Sequence, residues 1–186
     1  MKNRRIVVVA FLLVAVLCLG VGYATVSDML TAEGKIDVNA TDLSETLDKD
    51  VYFVESATVP TAQNGANASG VAVAVAADNN GDANDKFSVT ISDTVFTDVQ
   101  QSVTVYVDVK NDNKTTDVNV TVGTMTNADG KLSNFVIEMT PATQTVAKDG
   151  GTSTFAITIT LNTLPEEAID DGTFTFALEA VPVTAP

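Results

Sequence analysis

Asp78-Asn79-Asn80-Gly81-Asp82-Ala83-Asn84-Asp85 is the stretch whose residue types and spacing most resemble a chemical site. Asp78, Asn80, Asp82 and Asn84 set side-chain oxygens at alternate positions, which is what a hard cation needs, so a weakly held Ca2+ is the one cofactor these residues suggest. The match to an EF-hand loop then fails, because its sixth place holds Ala83 instead of Gly and its twelfth holds Val89 instead of Glu. The other reading is an acidic hairpin loop without a ligand.

Elsewhere the residue types exclude most catalysis. The chain has no His and no Trp, and its single Cys is Cys18. Without His there is no imidazole base for a serine or cysteine hydrolase and no HExxH helix. A zinc site built from carboxylates alone departs from the usual nitrogen- and sulfur-rich ligand sets. Paired carboxylates can run glycoside hydrolysis, but past residue 24 the only tyrosines available to shape a sugar cleft are Tyr52 and Tyr106. The expectation is a protein that is not an enzyme and has no catalytic residues, with its Asp and Glu on strand exteriors and turns.

The elements that carry these residues begin with a segment that sets the compartment. Lys2, Arg4 and Arg5 form a basic start, Ile6 to Leu19 an apolar run, and Gly20, Gly22 and Ala24 supply small residues. That is the layout of a secretory signal peptide, with cleavage between Ala24 and Thr25. A retained anchor is the competing reading, since Ile6 to Gly22 spans 17 residues, at the lower edge of the roughly 17–25 that cross a bilayer. Cys18 does not suggest a lipoprotein, because Leu17 before it is bulky.

Cleavage there leaves 7 Lys and no Arg against 24 Asp plus Glu, a net charge of −17. Such a surface repels phosphate backbones, so nucleic acid is not an expected partner. No disulfide can form in the processed chain, and strand pairing and packing must hold it.

The junction Gly22-Tyr23-Ala24, followed by Thr25-Val26-Ser27-Asp28 and Leu30-Thr31-Ala32-Glu33-Gly34-Lys35-Ile36-Asp37-Val38, resembles the start of proteins processed by the SipW type of signal peptidase. These are the TasA and camelysin family of secreted fibre and biofilm-matrix proteins. The resemblance implies cleavage after Ala24 by a signal peptidase, a jelly-roll sandwich, and a place in the extracellular matrix or on the cell surface. Because camelysins have been described as metalloproteases, it also keeps that activity as a remote alternative.

Beyond the junction the pattern has period two. Lys35 to Val38, Val51 to Val54, Gly70 to Ala76, Lys86 to Ser92, Val99 to Val109, Asp117 to Val122, Phe135 to Met139, Thr154 to Leu161 and Phe174 to Val181 all read as strands. Phe87, Val89 and Ile91 share one face, as do Val103, Val105, Val107 and Val109. Lys110 to Thr116 reads as the loop of a hairpin, Val59 to Ser69 as a loop, and Thr41 to Asp50 as a loop or one helical turn. Many short strands with almost no helix make an all-β protein with a single β-sandwich, and the pattern leaves jelly-roll and immunoglobulin-like windings open. Four Asn-x-Ser/Thr sequons stand at Asn39, Asn67, Asn113 and Asn119, and loop positions make Asn67 and Asn113 the accessible ones.

The expected organisation is a signal helix over 1–24, an extension over 25–34 and a sandwich over 35–186. The extension is a candidate donor strand: Thr25 to Ala32 is free of Pro, has Val26 and Leu30 as apolar contacts, and becomes a free end on cleavage. Two functions fit these features. One is a secreted structural subunit that joins copies of itself head to tail by strand exchange, touching the membrane only through the uncleaved signal. The other is a monomeric secreted or surface binding module, assisted by calcium at Asp78 to Asn84.

Overall fold

A computed structural model describes residues 30–38, 49–76, 86–92, 94–127, 132–165 and 173–183. Residues 1–29, 39–48 and 77–85, which include the expected signal segment and the acidic stretch, lie outside the described residues. The strands are β1 (Leu30–Val38), β2 (Val51–Glu55), β3 (Thr61–Gln63), β4 (Val71–Ala76), β5 (Lys86–Ile91), β6 (Ser102–Asn111), β7 (Val118–Thr126), β8 (Phe135–Thr140), β9 (Thr143–Val146), β10 (Gly151–Leu161) and β11 (Thr173–Pro182). Among the described residues no helix is long and apolar enough to cross a membrane.

Alternation of side chains makes these segments two-faced, and their apolar faces close on each other. On β6, Val103, Val105, Val107 and Val109 are fully buried while the residues between them are half-buried on the outside. Phe155, Ile157, Ile159 and Leu161 do the same on β10, and Phe87, Val89 and Ile91 on β5. The result is an all-β sandwich of a six-stranded sheet, in the order β4-β5-β1-β11-β7-β9, and a second sheet in the order β2-β6-β10-β8, with β3 also pairing β6.

Every connection from β5 to β11 crosses from one sheet to the other. β6 pairs with β10 and β7 with β9, both antiparallel, and β5 faces β11 across β1. This nesting of pairs is a jelly-roll winding and not the immunoglobulin-like one. β1 is the strand that stands outside it, wedged between β5 and β11.

Two local readings of the sequence are corrected, one strand is added, and one strand crosses an expected boundary. Lys110 to Thr116 is no hairpin loop, because β6 and β7 lie in different sheets and the segment carries the chain across the sandwich. The Val59 to Ser69 stretch contains β3, held by pairing of Thr61–Gln63 with Ser102–Thr104. Thr143–Val146 is a strand that pairs with β7, although it is too short to show a period in sequence. β1 starts at Leu30 and so runs across the boundary drawn after Gly34.

The crossing at 110–117 has a specific cause. A segment leaving one sheet for the other has backbone groups that no strand can satisfy, and two asparagines supply the partners. Asn111, fully buried, donates through Nδ2 to the carbonyls of Thr116 (2.9 Å) and Val146 (3.2 Å) and accepts through Oδ1 from the Asn113 amide. Asn113 Oδ1 accepts from the amides of Thr115 and Thr116, and its Nδ2 donates to Asp50. Asn111→Ala strands two carbonyls and an amide inside the protein. The expected loss is about 2–4 kcal/mol of stability, read from urea unfolding.

Candidate functional site

The residues singled out in sequence are divided by the structure. Asp78, Asn80, Asp82 and Asn84 lie in the stretch that links β4 to its antiparallel partner β5 and are outside the described residues. Ala24, Thr25 and Val26 are outside them too, whereas Leu30 is the first residue of β1. Among the described residues no group of three or more His, Cys, Asp or Glu could hold a metal ion.

Of the sequons, Asn113 is corrected: it is buried, and the amide nitrogen that a glycan would occupy is bonded to Asp50. Asn67 is exposed and caps the turn at Ala68–Gly70, accepting from the Ser69 amide. Asn119 is on β7 with its Oδ1 bonded to Thr145 Oγ1 at 2.6 Å.

The candidate site is the slot between β5 and β11 that holds β1. Thr31–Val38 pair in parallel with Thr173–Ala180 of β11, and Leu30–Lys35 pair antiparallel with Lys86–Ile91 of β5. Both sides of β1 are therefore bonded, and without it two strands in the middle of a sheet become edges. Neighbouring strands are about 4.8 Å apart, so the opening is roughly 10 Å wide, the width of one inserted strand.

The walls of this slot are aromatic. Gly34 is the direct partner of Phe87 on β5 and of Phe176 on β11. Phe87, Phe174 and Phe176 are buried, and the ring of Phe87 lies over Gly34 so closely that a Cβ there would fall within it. Phe87 in turn meets Phe53 of the facing sheet edge to face, with centroids 4.9 Å apart and planes at 77°. An aromatic covering a cross-strand glycine restores the packing that glycine lacks.

Register shows a second complementarity. Along β1 the residues Ala32, Gly34, Ile36 and Val38 stand opposite Phe174, Phe176, Leu178 and Ala180. In register, the two smallest residues of the strand stand opposite the two largest of the wall, and the larger ones stand opposite smaller partners.

Two other features are less suited to binding. A groove of about 200 Å³ is lined by Glu55 to Pro60, Val71, Val73 and Tyr106, below the roughly 300–1,000 Å³ of small-molecule sites. At one end of the sandwich Lys110 bonds Asp112 and the Tyr52 hydroxyl, and Tyr52 donates to Asp112. The Tyr52 and Lys110 hydrogen bonds hold the Asp112 carboxyl below the usual range, and Asp112 followed by Tyr52 raises Lys110. Lys114 and Asp149, 2.7 Å apart, shift each other the same way. These pairs tie the loops at that end together, and every member has a partner.

The segment read from sequence as a candidate donor strand, Thr25 to Ala32, overlaps β1 only in part. Leu30–Ala32 are common to the segment read from sequence and to β1, but the strand continues to Val38. Gly34 was the available signal, since a glycine inside a strand often marks a close approach of another group. Comparison of the sequence with protein-family models and with curated proteins finds no match to either.

Proposed function

We propose that this chain is a secreted structural subunit of an extracellular fibre or matrix, and that its copies join by exchange of the N-terminal strand. The observation that carries the reading is the position of β1, the first described strand, between β5 and β11 and outside the jelly-roll winding. Cleavage after Ala24 would leave β1 five residues from a free end, from which a strand can leave such a slot without unthreading anything. Residues 39–48 separate β1 from Lys49, and fully extended they reach on the order of 35 Å, enough for β1 to enter a neighbouring copy.

The same pairs then form between copies as within one, so exchange costs little beyond opening, and a head-to-tail contact that does not close on itself grows into a filament. The signal-like start and the resemblance at Gly22 to Val38 support export by a signal peptidase. The absence of His and of any Cys past residue 24 supports a non-enzymatic role. Among the described residues, a monomeric binding module is favoured by the small groove beside Tyr106.

The test uses the lack of Cys in residues 25–186. Glu33 and Ser88 are direct cross-strand partners, and Glu33 is exposed, a geometry that a disulfide can bridge. Chains from Thr25 carrying Glu33→Cys are mixed with chains carrying Ser88→Cys, allowed to assemble, and oxidised. Covalent heterodimers on a non-reducing gel are expected. Filaments that yield no such heterodimer would rule out exchange of β1.

A further inference from the structure

We propose that the slot between β5 and β11 selects its strand through Gly34, so that it accepts a second copy of this chain in one register only. This rests on the exchange reading and adds a condition to it: which strand fits, and where it stops. Backbone pairing alone cannot set register, because every step of two residues along the ladder restores the same hydrogen bonds and the same face. The walls must therefore do so, and they do it by volume.

Phe87 covers the Gly34 position and Phe176 flanks it on the other side. Phe87 cannot swing away, because its ring is packed edge to face against Phe53 and both are fully buried. A slip of two residues in one direction would bring Ala32 to that place, and in the other Ile36. Either carries a Cβ into the space of the ring. The slip would also set Ile36 or Ala32 against Phe176 and so undo the pairing of small residues with Phe174 and Phe176.

A single residue lacking a side chain thus distinguishes this strand from two alternating, valine-rich segments of the chain. Val71-Ala-Val-Ala-Val-Ala76 and Val103-Thr-Val-Tyr-Val-Asp-Val109 have comparable apolar alternation and no glycine. The slot rejects them. Assembly is then confined to N-terminal strands of the same chain, which keeps the exposed β4 edge from filling a neighbour's slot.

The experiment keeps the chain from Thr25 and the mixed Glu33→Cys and Ser88→Cys pair, whose cross-link reports the native register. Gly34→Ala in the donor chain is expected to lower the yield of the heterodimer about tenfold or more. Phe87→Leu in the acceptor, which removes the outer ring atoms but keeps a buried apolar side chain, is expected to restore that yield for the Gly34→Ala donor. Thermal melting of each chain is followed alongside, so that a variant that fails to fold is recognised before its cross-linking is read. The inference is overturned if the Gly34→Ala donor cross-links as well as its parent, or if Phe87→Leu brings no recovery while both chains melt cooperatively. Absence of heterodimer in the parent mixture overturns the exchange reading itself, a result separate from both.

Discussion

Deleting residues 25–38 from the processed chain is expected to abolish cooperative folding, and adding a synthetic Leu30–Val38 peptide is expected to restore it. β1 is bonded on both sides, from Thr31 to Val38 against β11 and from Leu30 to Lys35 against β5. Each backbone bond is worth about 0.5–1.5 kcal/mol net. The strand also covers buried wall residues, among them Phe87, Phe174, Phe176 and Leu178, and uncovering a Phe or Leu costs about 1.5–3 kcal/mol. Together these exceed the 5–15 kcal/mol by which domains of this size are ordinarily stable.

The measurement is far-ultraviolet circular dichroism with thermal melting, with and without peptide. A Gly34→Ala peptide serves as control and is expected to rescue poorly. A truncated chain that melts like its parent would mean that β5 and β11 close directly on one another and that β1 is dispensable. That outcome is geometrically available, since β5 and β11 already run antiparallel on the two sides of β1.

The strands with strict alternation were legible from residues alone. Val103 to Val109 and Phe87 to Ile91 face inward as their period requires, because a two-residue repeat and one buried face leave no other arrangement. Pairing was not legible. Lys110 to Thr116 has the composition of a hairpin loop, and it is the buried amides of Asn111 and Asn113, reaching Val146 and Asp50, that turn it into a crossing between sheets. Those partners are distant in sequence, and no local pattern announces them.

β1 was partly legible for a related reason. Lys35 to Val38 alternate, but Gly34 reads as a break when its neighbours are unknown. Only the Phe87 ring explains why a glycine belongs inside a strand with partners on both sides. The N-terminal segment was thus visible in the sequence, while the bounds of β1 depend on walls supplied by residues 86–91 and 173–182.

Phe53→Ala is expected to lose about 3–5 kcal/mol by cavity formation. Phe53 is fully buried on β2 in one sheet, and its contact with Phe87 on β5 in the other joins the two layers directly above β1. An edge-to-face pair adds about 0.5–1.5 kcal/mol to what burial alone gives. Beyond stability, the loss of Phe53 gives the Phe87 ring room to move off Gly34. The cost of Gly34→Ala should therefore be smaller in a Phe53→Ala background than in the parent, by about 1 kcal/mol or more, where independent sites would add to within roughly 0.5 kcal/mol. Urea unfolding of the four chains of this cycle measures the difference, provided their m-values agree. Additive costs would show that Phe87 is held over Gly34 by something other than Phe53. A positive coupling would place the control of the slot in the facing sheet, where Phe53, acting through Phe87, decides how large a side chain the strand can carry.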